Sequence, residues 1–176
     1  MSDVTARATD TLMPQAVKVT IGHGEDAETY TLATFALAKT IRTFALMSEL
    51  ARDAGLSGVV GAAENAAANG EFSQAVAPSF ITKVLAVLPS ALENGTPTLY
   101  RLLGLLVTPN GKLRKMDENE EDIDGYLLQL GRGIAYSASN DQIIGLLMAA
   151  VQVIGIESII KQLPNLMTAL TGGVRS

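Results

Sequence analysis

The most constraining feature of this sequence is an apolar stretch at 143–156 that has almost no polar face. Asp141 precedes the stretch, Glu157 follows it, and Gln152 is the only strongly polar side chain inside it. It falls short of the roughly 20 apolar residues that a membrane-spanning helix needs. A segment this apolar is typical of a buried helix. The chain is therefore expected to cover this segment with its own elements or with a partner.

Composition favours a helical fold for the rest of the chain. Apolar residues make up 48% of the 176 residues and charged residues 18%, which is too apolar a balance for intrinsic disorder. Much of the apolar content is Ala and Leu, and aromatic residues are only 5%. Ala and Leu favour helices, whereas strands prefer β-branched and aromatic side chains. The length is close to the usual size of one domain.

Charge and cysteine content exclude several classes of protein. The net charge is −5, with 13 basic residues against 18 acidic ones, which argues against a nucleic-acid binder. The chain has no cysteine, so it has no disulfide, thiol nucleophile or cysteine-based zinc site. Residues 1–16 lack the apolar run of a signal peptide. We expect a cytoplasmic protein that does not cross a membrane.

The N-terminal region predicts an arm followed by a hairpin. Residues 1–16 are polar and without periodicity, which indicates a flexible arm. The run 17–21 alternates apolar and polar residues, and a second short run follows at 29–32 after a turn that contains glycine. These features predict a β-hairpin over 17–32. The hairpin would open a single helical domain that covers 17–176.

Helical periodicity begins directly after the hairpin. Thr34 is in position to cap the N-terminus of a long helix that reaches about Ala54, with Gly55 as its stop. Apolar residues at helical spacing, Phe44 and Met47 among them, form a wide stripe along this helix.

Start and stop signals predict further helices. The small residues of 55–70 indicate a loop and then a short Ala-rich helix. Pro78 opens a helix that is expected to stop at Pro89, with one more helical turn behind it. Thr96, placed before a proline, starts another helix that ends ahead of a turn at 109–111.

The most polar segment of the chain is the acidic run 117–124. Its carboxylates suit the first turn of a helix, where the positive end of the dipole lies, and Gly131 and Gly133 are expected to end that helix. Ser139 and Gln142 then match a capping box for the helix that carries the apolar stretch.

The patterns that would indicate catalysis are weak. His23 is the single histidine, no Gly-x-Ser-x-Gly elbow accompanies it, and we interpret it as an exposed turn residue. Residues 22–27 fit a loose dinucleotide fingerprint. That fingerprint requires a following helix, however, and Glu25 and Asp26 would repel phosphate. A hairpin loop explains the segment better.

The acidic run does not form an EF-hand loop. Such a loop needs glycine at its sixth position, where Asp122 stands if counting starts at Asp117. A solvated loop, adventitious cation binding and an acidic patch for a basic partner remain as interpretations. We therefore expect no enzymatic activity, no bound metal and no cofactor.

The wide apolar stripes are the main functional candidates. Either the stripes bury one another in the core, or one of them forms a groove for an amphipathic helix of a partner. Six residues are selected as candidates for partner binding: Phe44, Met47, Ile143, Leu147, Met148 and Val151.

The order of the first elements carries a resemblance. A short arm, a strand, a Gly-containing turn and a second strand that ends with 31–34 lead into a helix from Phe35. This order resembles the start of the tail assembly chaperones of long-tailed bacteriophages, over about 17–54. Those proteins often enter the helix through a Pro-Leu-Thr-like step, and here Leu32-Ala33-Thr34 lacks the proline. The resemblance implies binding to the tape measure protein, whose apolar helices are shielded until tail tube subunits polymerise around it.

The expected function is that of a non-enzymatic assembly chaperone or adaptor. Its partner would be a protein such as the tape measure or tail tube protein, in the host cytoplasm if the chain is phage-encoded, and homo-oligomerisation stays open. The alternative is a structural subunit of a viral or other large particle, with the stripes buried by neighbouring copies. A small-molecule enzyme or binding protein is a third hypothesis, which the missing polar constellation disfavours. Nucleic acid is not expected as a partner.

Overall fold

The computed structural model describes residues 16–68 and 76–154. Within these ranges the chain forms one antiparallel hairpin and seven α-helices, which confirms the predicted mainly α class with an N-terminal hairpin. Residues 1–15 of the predicted arm lie outside the described residues, as does the chain beyond 154. The elements are β1 (Val17–Ile21), β2 (Glu28–Leu32), α1 (Leu37–Asp53), α2 (Ser57–Ala68), α3 (Val76–Glu93), α4 (Pro97–Val107), α5 (Asn110–Glu118), α6 (Ile123–Ser137) and α7 (Asn140–Ile154).

The predicted hairpin over 17–32 is confirmed, and its two strands pair antiparallel. Val17 pairs with Leu32 and Ile21 with Glu28. Ile21 and Leu32 are buried against the helices, while the intervening polar side chains face solvent. Gly22 has a φ of +92°, and a Cβ at this position would lie 2.9 Å from the Asp26 carbonyl oxygen. Glycine is therefore required where the chain leaves β1.

Helix α4 lies at the centre of the described structure. Its residues 102–107 are buried without interruption, so every side of the helix is covered. It packs most extensively against α6, and also contacts α1, β2 and α7. The sequence predicts that the helix over 143–156 is central in the core or covered by a partner. Helix α4 is more completely buried than α7, because α7 keeps an exposed face among the described residues.

Two glycines allow α4 and α6 to approach closely. A Cβ on Gly131 would lie 1.6 Å from the Tyr100 carbonyl oxygen, and a Cβ on Gly104 would lie 2.3 Å from the Leu127 carbonyl oxygen. Interiors are packed too densely to absorb such overlaps. The prediction that Gly131 and Gly133 end this helix is wrong, because α6 continues to Ser137 and uses Gly131 for packing.

A buried lysine from α1 caps the C-terminus of α4. The ammonium of Lys39 donates to the carbonyl oxygens of Leu106, at 2.9 Å, and Thr108, at 2.8 Å. These are carbonyls that have no amide partner at a helix end. The Phe35 ring centroid lies 3.8 Å from the same nitrogen. Burial lowers the pKa of Lys39 to about 8.

The predicted helix boundaries are partly wrong. Helix α1 begins after Ala36, which makes no side-chain cap, so Thr34 is not the N-cap. Gly55 ends this helix as predicted: it has a φ of +79°, and the next amide, of Leu56, donates to the Ala51 carbonyl oxygen. Helix α2 begins at Ser57, earlier than the glycine-rich sequence indicates.

Two proline signals are also overridden. Helix α3 passes through Pro89 instead of stopping there, with Leu88 and Ala91 buried on either side of the proline. The segment 109–111 begins helix α5 instead of forming a turn, with Pro109 as its N-cap. Three further sequence signals lie outside the described residues. Asn69-Gly70 predicts the end of α2, Gly155 predicts an interruption of the last helix, and Pro164 predicts a break or kink beyond it.

Candidate interaction surface on helix α7

Helix α7 is held in place by its first turn. Ser139 and Gln142 form the predicted capping box: the Ser139 amide donates to Oε1 of Gln142 at 3.0 Å, and the Gln142 amide donates to Oγ of Ser139 at 3.3 Å. The Gln142 side chain also reaches the hairpin. Its Nε2 donates to the Gly22 carbonyl oxygen at 3.1 Å, and its Oε1 accepts from the Gly22 amide at 3.3 Å.

One face of α7 belongs to the core. The helix packs on both strands of the hairpin and on α4. The residues that make this contact are Ile143, Leu146, Leu147, Ala149, Ala150, Val153 and Ile154, all of them buried. With its first turn tied to the hairpin and this face in the core, α7 holds its outer face in a fixed orientation.

Four of the six predicted partner-binding residues lie in the core. Phe44 is 8% exposed and Met47 4%, while Ile143 is 1% and Leu147 3% exposed. The sequence left open the alternative that the apolar stripes bury one another in the core. These four residues follow that alternative. A partner could contact them only after the helices had moved apart.

The other two predicted residues reach the surface of α7. Met148 is 51% exposed, and Val151 is half-buried at the edge of the core. Ile144, which the sequence analysis did not select, is 37% exposed one turn before Met148. These three residues follow the spacing i, i+4, i+7 and so lie along one side of the helix. We refer to Ile144, Met148 and Val151 as the α7 stripe.

The surroundings of the α7 stripe carry little charge. Asp141 is the only charged residue of this helix, and it lies in the first turn. Gly145 and Gln152 are exposed between and beside the stripe residues. A Cβ at Gly145 would meet no atom within 4 Å. Among the described residues the stripe is thus uncovered and has little charge around it, and another chain could pack closely against it.

Two further large side chains are exposed within the described residues. Leu37 at the start of α1 is 51% exposed, and Tyr136 near the end of α6 is 82% exposed. Tyr136 lines a cleft of about 260 Å³ together with Asn140 and Ile143. Tyr136 therefore lies next to the first turn of α7.

Several carboxylates of the acidic run 117–124 make hydrogen bonds or ion pairs within the chain. Asp122 caps α6 by accepting from the Gly125 amide at 2.9 Å, in agreement with the predicted acidic helix start. Asp124 accepts from the guanidinium of Arg42 at 2.5 Å, and Glu121 accepts from the side-chain amide of Asn119 at 3.2 Å. Within 16–68 and 76–154, no group of three or more acidic or histidine side chains could hold a metal ion.

His23 lies exposed next to the short 3₁₀ turn Gly24–Asp26, in the hairpin loop that the sequence indicates. A strand and not a helix follows, so the dinucleotide fingerprint at 22–27 has no helix N-terminus to support it. No helix in the described part of the chain is long and apolar enough to cross a membrane.

Comparison with known proteins gives no significant match. No family model fits the sequence, and no curated protein or solved structure is significantly similar to it.

Proposed function

We propose that this chain is a non-enzymatic assembly chaperone or adaptor that binds an apolar helical segment of a partner protein through the α7 stripe. The tape measure protein of a long-tailed phage is the kind of partner that the resemblance implies. The observation that carries the proposal is the i, i+4, i+7 row in which Ile144 and Met148 are exposed and Val151 is half-buried.

The chemistry of the stripe suits a helical partner. Helix-in-groove recognition uses apolar anchors at this spacing on one partner and an apolar face on the other. Met148 is unbranched and flexible, and methionine at such positions adapts to partners of different shape. The scarcity of charge on α7 means that docking leaves few ions to be desolvated.

The hairpin and the helix behind it support the choice of chaperone class. β1, β2 and α1 follow one another in the order on which the resemblance to tail assembly chaperones rests. Phe35, the first residue of the expected helix, lies in the hairpin–helix connection one position before the N-cap, and it is buried. The order of these elements supports the chaperone class, and the α7 stripe supports the partner-binding surface.

Copurification from the native cells tests the proposal with two matched variants. The double variant Ile144→Asp, Met148→Asp places carboxylates in the proposed contact, and Leu37→Asp changes an equally exposed residue on another helix. We expect the double variant to lose a helix-rich protein that the wild type and Leu37→Asp both retain. A loss of at least tenfold in affinity corresponds to about 1.4 kcal/mol. Unchanged helical circular dichroism is the control for folding.

The same experiment separates the alternative. A structural subunit would use the stripe against neighbouring copies, so the double variant would lose self-association and no second protein would be retained by the wild type. Such a subunit is stoichiometric in a finished particle, whereas a chaperone is absent from it. Retention of the same partner by all three proteins would refute the stripe as the binding surface.

A further inference from the structure

A second, separate feature is a pocket of about 520 Å³ between α1, α4, α5 and α6. Its volume falls in the range of pockets that hold small organic molecules. The apolar side chains of its wall are Ala36, Ala38, Leu105, Leu113 and Ile123. The protein-binding proposal above makes no use of this pocket.

The polar groups of the pocket are mainly cationic. Lys39, Arg42 and Arg114 line it, against the single carboxylate of Asp117. Arg42 forms an ion pair with Asp124, and Nε of Arg114 lies 3.5 Å from a carboxylate oxygen of Glu118. Neither Asp124 nor Glu118 lines the pocket. Each guanidinium has five N–H donors, so one carboxylate contact leaves others for a ligand. Within the pocket lining, cations therefore outnumber carboxylates by three to one.

Lys39 has no carboxylate partner among the described residues. Two carbonyl oxygens and the Phe35 ring surround its ammonium, and its side chain lies in the wall of the pocket. The lowered pKa of Lys39 has the same cause, because burial is not offset by an opposite charge. An anion in the pocket would supply that charge.

We propose that this pocket binds a small amphiphilic carboxylate that has an apolar tail. The tail packs on the apolar wall, and the carboxylate faces the cations of α1 and α5.

Isothermal titration with two probes tests the anionic part and the apolar part of this ligand. The probes are decanoate and its neutral methyl ester. We expect saturable binding of decanoate, with affinity at least tenfold lower for the methyl ester. Equal affinity for acid and ester would overturn the anionic part of the proposal, and absence of saturable binding would overturn all of it.

Two variants place the binding in this pocket. Ala38→Phe fills it from an exposed position on α1, and Ala86→Phe is a matched control at an exposed alanine of α3. We expect Ala38→Phe to abolish binding and Ala86→Phe to leave it unchanged. Lys39→Met is expected to weaken binding of the acid at least tenfold and to leave binding of the ester unchanged. Equal binding by Ala38→Phe and the wild type would place the ligand elsewhere and overturn the proposal.

Discussion

Gln142 joins two parts of the molecule through one side-chain amide. It completes the capping box of α7 with Ser139 and bonds to both backbone polar groups of Gly22 in the hairpin. The capping box is visible in the sequence, because it needs only a spacing of three residues. The contact with Gly22 is not visible, because it joins residues 120 positions apart.

We expect Gln142→Ala to lower the free energy of unfolding by about 1–3 kcal/mol, because it leaves partly buried polar groups of Gly22 without partners. Chemical denaturation measures this loss. Gln152→Ala, at an exposed position of the same helix, is the control and should stay within about 0.5 kcal/mol of the wild type. Equal effects of the two substitutions would contradict the role assigned to Gln142.

Lys39 gives the molecule a defined dependence on pH. Burial lowers its pKa to about 8 from the usual 10.5, so between these values the unfolded chain binds more protons than the folded one. Stability therefore rises with pH across this window. The pKa of Tyr30, raised to about 12 chiefly by burial, works in the opposite direction near pH 10 and above.

Denaturation of the wild type and Lys39→Met at pH 8.5 and 9.5, values chosen inside that window at about half a unit or more from each end, isolates the contribution of this lysine. We expect the free energy of unfolding to increase with pH more steeply in the wild type than in the variant. Parallel slopes would mean that the ammonium of Lys39 has an ordinary pKa.

At the scale of secondary-structure elements, the close packing of α4 against α6 requires glycine at the contact, because a Cβ there would overlap the facing helix. We expect Gly131→Ala to destabilise the protein by about 3 kcal/mol or more, because the methyl group would overlap the Tyr100 carbonyl oxygen. Gly133→Ala is the control in the same helix, where a Cβ meets nothing within 4 Å. That substitution should be neutral or stabilise by up to about 1 kcal/mol, because alanine favours helix. Thermal unfolding of both variants tests the difference, and similar midpoints would contradict the close contact.

The elements that sequence predicted well are those fixed by local chemistry. The alternation in 17–32 determines the hairpin, and a proline after Thr96 marks the start of α4. The errors arise where a distant contact outweighs a local signal. Gly131 continues α6 because α4 needs the space, and Pro89 stays inside α3, where Leu88 and Ala91 on either side of it are buried.

The candidate surface was predicted only in part for a related reason. Periodicity places apolar residues on a helix, and the remaining elements decide which side of that helix is covered. In α7 the hairpin and α4 cover Ile143 and Leu147, and they leave Ile144 and Met148 exposed. No property of the α7 sequence alone distinguishes Ile143 from Ile144.

At the scale of the whole molecule, the two proposed sites lie on different sets of elements. The α7 stripe belongs to α7 alone, while the carboxylate pocket is built by α1, α4, α5 and α6. We therefore expect Ala38→Phe to remove ligand binding without changing the α7 stripe. We expect the stripe variants to leave ligand binding in the pocket unchanged. Each proposal can fail without the other.

The measurement that tests the central claim most directly is site-specific photo-crosslinking in the native cells. A photoreactive phenylalanine analogue replaces Met148 in one protein and Leu37 in another, since both positions are 51% exposed. We predict that position 148 yields an adduct with one apolar, helix-rich protein and that position 37 does not. Adducts at both positions with the same partner, or none at position 148, would contradict the assignment of α7 as the partner-binding surface.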